Sequence, residues 1–185
     1  MVLSILLWVI IGLIVLLILI SIFYFNRFVT LENRIQNSEA QIDVQLKKRT
    51  DLVPNLVKVV KGYEKHEQTI FDKITKARSE LLHSKDLAGK VKAGDLLQGF
   101  LGKLFAIAES NPELKANENF LQLQKEVAAI EDKIAYSRQF YNDAILTYNN
   151  MVETFPGTFF AGMFKHKEKK FLRIPESEKK VPQVE

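Results

Sequence analysis

Any chemistry this chain performs must come from a short inventory of side chains. Its histidines, His66, His83 and His166, are far apart in sequence, and none falls in an H-E-x-x-H or comparable metal-ligand spacing, although Glu67 follows His66 directly. All three read as surface residues. There is no Gly-rich phosphate loop, no G-x-S-x-G nucleophile elbow and no glycine fingerprint following a strand. Gly99-x-x-Gly102 lies in an apolar helical stretch and reads as a packing feature. The carboxylate pairs Glu64/Glu67 and Glu131/Asp132 fall on the polar sides of helical patterns, where solvated charge is expected. These residues suggest no catalytic centre, no cofactor and no metal, so an enzyme is not expected.

Arg49 is more informative. It replaces an apolar residue in a helical stripe, and a buried cation must be paired or reach out to water. Asp51 stands on another face, so a carboxylate from a second long helix, such as Glu131, is the expected partner. Such a pair fixes register more than it adds stability; the competing reading is a ligand site. Arg138, Asn142 and Asn149 form one polar stripe, since Asn142 and Asn149 are seven residues apart and Arg138 is one turn earlier. They read either as helix–helix hydrogen bonding or a solvated face, or as a docking surface for a partner helix. From Lys165 onward, 7 Lys and Arg stand against 4 Glu. This basic segment fits a solvated tail or an anionic lipid surface. Without aromatic spacing for base stacking, nucleic acid is not an expected partner.

The elements that would position these residues differ sharply in composition. Over all 185 residues the net charge is +4 and the mean hydropathy −0.03, values that describe no part of the chain. Of the first 25 residues, 22 are apolar, and Arg27 is the first charged side chain. About 24 residues at 1.5 Å each span some 36 Å, enough to cross a hydrocarbon core of roughly 30 Å. Trp8 near one end and Phe23, Tyr24 and Phe25 at the other suit the two interfaces. A cleaved signal peptide would want a basic start, a shorter apolar run and a small-residue cleavage site, so a retained membrane helix is expected. Arg27 and Arg34, then Lys47, Lys48 and Arg49, put the cationic excess after the helix. This predicts an outside N-terminus and a cytoplasmic C-terminal domain at the cell membrane. The absence of cysteine excludes disulfides, thiolate metal sites and a cysteine nucleophile.

Beyond the anchor the period is helical. Phe28, Ile35, Ile42, Leu56, Tyr63, Ile70 and Ala77 form one stripe, and Leu46, Val53, Val60, Ile74 and Leu81 a second. Both stay in phase across Pro54, predicting one long kinked helix to Leu82 instead of a restart capped by Asp51. Residues His83 to Gly94 read as a loop and Asp95 to Ser110 as a short apolar helix. Asn111-Pro112 reads as an N-cap with proline at the first helical position. From Phe120 to Phe155 apolar and small residues recur by threes and fours, a coiled-coil-like seam. The expected fold is all-α: one transmembrane helix, then an antiparallel up-down bundle with long coiled-coil-like helices. The expected division is an anchor over 1–26, a bundle over 27–164 and a flexible basic tail over 165–185.

The run Arg49-Thr-Asp51-Leu52-Val-Pro54-Asn55-Leu56-Val57, with Gly62-Tyr63 and Glu64-x-His66-Glu67 after it, resembles the signature of the LemA family of bacterial membrane proteins. The second half carries Glu131, Ile134, Ser137-Arg138, Tyr141-Asn142, Tyr148-Asn149 and Phe155-Pro156 in agreement. The resemblance runs from about Phe25 to Phe171. It implies a short extracytoplasmic N-terminus, one membrane helix and a helical bundle, and brings no activity, substrate or cofactor. The residues it marks for interaction or register are Arg49, Asp51, Pro54, Asn55, Arg138, Tyr141, Asn142, Tyr148 and Asn149. The expected role is a non-enzymatic scaffold whose helix faces take a protein partner or a second copy. The alternative is a cell-envelope accessory or anionic-lipid sensor acting through the tail.

Overall fold

The computed structural model describes residues 1–64 and 67–172. Among them are six helices and no strand: α1 (Val2–Tyr63), α2 (Gln68–His83), α3 (Leu87–Glu109), α4 (Pro112–Lys115), α5 (Glu118–Glu153) and α6 (Gly157–Phe164). The all-α helical bundle expected from the periodicity is therefore what forms.

Helix α1 has no glycine between its apolar stretch and the amphipathic part, and its only proline is Pro54, so nothing interrupts the hydrogen-bond ladder earlier. Its N-terminal stretch is long and apolar enough to cross a membrane, and none of the most apolar stretch is buried by protein. The helix also passes through Pro54. Proline lacks an N–H, which strips the carbonyl four residues earlier of its helical donor. That carbonyl belongs to Thr50, and it accepts a 2.8 Å hydrogen bond from Nε of Arg78 on α2. A side chain from the neighbouring helix thus replaces the missing backbone bond, and Pro54 itself stays exposed.

The chain divides into two compact units. In the first, Phe28, Leu31 and Ile35 of α1 pack with Ala144, Ile145 and Tyr148 of α5 and Phe160 and Ala161 of α6. In the second, built from Glu39–Gln139, the two stripes predicted for α1 supply Ile42, Leu46, Val53, Leu56 and Val60. Leu97, Leu101 and Leu104 of α3 and Val127, Ile130 and Ile134 of α5 are buried in the same unit.

Three boundaries differ from the sequence reading. The single helix expected to Leu82 is two helices, α1 ending at Tyr63 and α2 starting at Gln68. Ile70, Ile74, Ala77 and Leu81 are buried on α2 in the expected phase, so the hydrophobic period carries no trace of the break. The loop expected over residues 83–94 shrinks to Ser84–Asp86, because Asp86 caps α3 by accepting from the N–H of Gly89 at 3.2 Å. Burial of Leu87 and Val91 then outweighs the low helix propensity of Gly89 and Gly94. Finally, the seam ends at Met151. Phe155 lies beyond α5 and is 85% exposed. The cap at Asn111 forms as expected, with Oδ1 accepting from the N–H groups of Glu113 and Leu114.

Candidate functional site

The polar chemistry of the second unit is concentrated where α1, α3 and α5 meet. Arg49 of α1 has no solvent exposure. Its Nη1 donates to Glu131 of α5 and, at 3.1 Å, to Oε1 of Gln98 on α3. Arg138, two turns beyond Glu131 on the same face of α5, is also buried and donates to Asp95 of α3 at 2.5 Å. The guanidinium of Arg49 lies against position 94, which has no side chain: a Cβ there would lie 2.9 Å from both Nη2 of Arg49 and Cδ2 of Leu46, so these side-chain ends would have to shift. Burial lowers the pKa of Arg49. The Glu131 carboxylate opposes that shift, the Arg138 charge adds to it, and Asp95 weakly opposes it. An arginine so far from its pKa stays charged, so the site is two cations neutralised by two carboxylates. Both cations are inside, and the arrangement ties three helices together.

A second cluster lies in the first unit. Asn149 of α5 donates from Nδ2 to the carbonyl of Lys169 and accepts that residue's N–H on Oδ1, both at 2.9 Å. Asn142 treats Leu172 in the same way, at 3.0 and 2.9 Å. The match is one of register. Seven helical residues rise about 10.5 Å, and three extended residues cover about 10 Å, so asparagines two turns apart meet backbone groups three residues apart. Just before the clamped segment, Nδ1 of His166 lies 3.2 Å from the hydroxyl of Tyr148 and 3.7 Å from Glu32. Its ring stacks on Phe28 at 4.3 Å. Lys169 reaches Glu32 at 3.2 Å and sits over the Tyr148 ring. Burial pushes the Tyr148 phenol up to about 12, aided by the Glu32 carboxylate and a hydrogen bond to it, so the hydroxyl remains a protonated donor at any physiological pH.

A family model described as the LemA family matches residues 38–185 of this chain. The chain belongs to the LemA family. It is 29% identical to Protein LemA of Metamycoplasma hominis over 143 residues, covering 74% of this chain and 65% of that protein. It is 25% identical to magnetosome protein MamQ 2 of Paramagnetospirillum magneticum and to MamQ of Magnetospirillum gryphiswaldense, covering 60% of each. The chain thus spans less than two thirds of the length of these relatives.

Of the LemA-motif residues, the fold brings Arg49 together with Glu131, the carboxylate expected from the sequence, and places Arg138 beside it with Asp95. Asp51 is exposed and comes within 4.0 Å of Lys47. Asn55 lines an open cleft of about 490 Å³ with Lys58, Val59, Asn119, Gln122 and Leu123. Tyr141 and Tyr148 join the core of the first unit. Asn142 and Asn149 neither bond across helices nor stand free for a partner helix, because Lys169 to Leu172 of the same chain occupies them. That part of the basic segment is therefore clamped; residues 173–185 lie outside the described residues, as does His66.

Other expectations are corrected in the same way. His166 is largely covered, stacked on Phe28, and not a free surface residue, whereas His83 is exposed. Glu64 accepts from Nδ2 of Asn111 at 2.9 Å instead of standing solvated. Gly99 and Gly102 face open space, and the close-packing glycine of α3 is Gly94. The sequence reading missed Asp95, Gln98, Glu32 and Lys169. The first two carried a signal, since Asp95 and Gln98 flank the apolar Leu96 and Leu97 directly after the small residue Gly94.

The asparagine clamp has a direct consequence. Changing Asn142 and Asn149 together to Ala is expected to release the backbone around Lys167, Lys169 and Lys170 so that trypsin can bind it. Limited proteolysis should cut the double variant there at least about ten-fold faster, since two paired contacts at about 1 kcal/mol each are lost. An unchanged cleavage rate would show that the clamp does not hold the segment.

Proposed function

We propose that this LemA-family chain is a single-pass membrane protein whose helical bundle serves as a non-enzymatic scaffold at the cytoplasmic face. The observation that carries the reading is the continuity of α1. One unbroken helix contains both the membrane-crossing stretch and the apolar stripe around which the bundle packs. The apolar stretch and the start of the bundle's first stripe thereby belong to one helix. The charged motif residues support the same reading, because Arg49 and Arg138 are used in holding helices together. The exposed part of the motif, Asp51 and Asn55, is left for a protein partner, and the Asn55 cleft is the surface for it. Arg27 and Arg34 directly after the apolar stretch favour the cytoplasmic placement of the bundle.

Two fusions and one crosslinker test this. A C-terminal fluorescent protein should be bright and a C-terminal alkaline phosphatase inactive; an active phosphatase would overturn the orientation. A photo-crosslinking residue at Asn55 should give one discrete protein adduct in growing cells, and the same residue at exposed Tyr136 should not. No adduct from Asn55, or equal adducts from both positions, would remove the cleft as the docking surface.

A further inference from the structure

Helix α6 has no charged residue and two unlike sides. On one, Phe160 stacks on Tyr24 with ring centroids 4.5 Å apart, and Phe164 meets Phe25 at 5.4 Å. Ile20 packs against the same core. On the other, Phe159 and Met163, four residues apart, are 64% and 49% exposed, and Phe155 just before the helix is more exposed still. Two large apolar side chains turned outward on one short helix, with a third just before it, need an apolar neighbour.

Continuity with the membrane-crossing stretch identifies that neighbour. A hydrocarbon core of roughly 30 Å takes about 20 helical residues, so an apolar run that ends at Phe25, with Asn26 and Arg27 next, has its last turns at the boundary between acyl chains and headgroups. The aromatic residues of α1 that meet the rings of α6, Tyr24 and Phe25, lie in those last turns. Packing therefore holds α6 at the depth of the lipid boundary. The chain then leaves this level abruptly. Lys165 adopts the left-handed conformation at φ 60°, and the N–H of His166 closes back on the carbonyl of Ala161 at 2.9 Å, a helix-ending turn. Lys165, Lys167 and Lys170, which follow, are exposed. An apolar face next to exposed cations is the pattern of a helix lying in the bilayer interface.

We propose that α6 is a second membrane element: Phe155, Phe159 and Met163 enter the acyl-chain boundary beside α1, and the lysines after it face the headgroups. The occupant of this face is lipid, not a second copy of the chain. The proposal rests on α1 crossing the membrane, and the test separates the two ideas.

The full chain contains one tryptophan, Trp8. Three single-tryptophan proteins are reconstituted in phosphatidylcholine and phosphatidylglycerol vesicles: the parent, W8F/F159W, and W8F/Y136W. Tyr136 is 71% exposed and lies far from the anchor in sequence, so it serves as the aqueous control. Trp8 should be quenched by brominated acyl chains, which verifies the anchor. The F159W protein should show blue-shifted emission, quenched by brominated lipid and not by aqueous iodide, while the Y136W protein shows the reverse. Iodide quenching of F159W would overturn the proposal and leave the anchor standing. Quenching by neither agent would also overturn it, because the face would then be covered by protein. Failure of Trp8 itself to be quenched by lipid would remove the anchor, and the proposal with it.

Discussion

Replacing Glu131 by Ala is expected to lower the unfolding free energy of the detergent-solubilised chain by about 3 kcal/mol, because it leaves the Arg49 cation buried without its carboxylate. The loss belongs at the low end of the range for broken buried pairs, since the Glu131 side chain keeps 27% exposure and water screens part of the interaction. Gln98 cannot rescue the charge; it offers only an amide oxygen to the same Nη1. The companion double variant R49L/E131L is expected to recover most of the loss and to match or exceed the parent, as well-packed apolar replacements of ion pairs often do. Chemical denaturation of the three proteins checks both statements. A change below about 0.5 kcal/mol in E131A would show that water already carries the pair. If R49L/E131L is stable and the Asn55 crosslink persists, the pair sets helix register only; loss of the crosslink in a stable double variant would make it part of the interaction site.

The second large effect is expected in the other unit. Phe28→Ala should cost about 3–5 kcal/mol, since the ring is fully buried and its removal takes away transfer energy and leaves a cavity. The damage extends beyond the core, because His166 stacks on that ring at 4.3 Å and Tyr148 meets it edge-on at 6.0 Å. Near-ultraviolet circular dichroism should therefore lose tyrosine signal as the melting temperature falls, and trypsin should reach Lys167 more readily. Phe28→Leu, which restores most of the volume, should recover most of the stability but not the stack. Equal melting temperatures for Phe28→Ala and the parent would contradict the packing described here.

How much of this was legible beforehand depends on how far each property reaches along the chain. The anchor and the helical period were plain, because each is a local property: uninterrupted apolarity for the one, apolar side chains every three or four residues for the other. The Arg49–Glu131 pair was also foreseeable, since a cation in an apolar stripe demands a carboxylate and the second long helix carries one. The break between Tyr63 and Gln68 was not, because the stripes continue in phase across it. Nor was the helix across Gly89 and Gly94, where an Asp86 cap and contacts from α1 override two poor helix formers.

The amino-acid sequence by itself determined an apolar anchor, a cationic flank, a helical polar part and membership in the LemA family. Only the tertiary structure decided what the polar residues do. Arg78 answers the carbonyl freed by Pro54, Asp95 neutralises Arg138, and Asn142 and Asn149 grip the chain's own backbone. Likewise, α6 reads from composition as any short apolar helix, and only the fold shows its rings against Tyr24 and Phe25 at the end of the apolar stretch of α1. The physical reason is common to all of these. Periodicity records which face of a helix avoids water, whereas a hydrogen bond or an ion pair needs a partner that only the folded chain brings within about 3 Å.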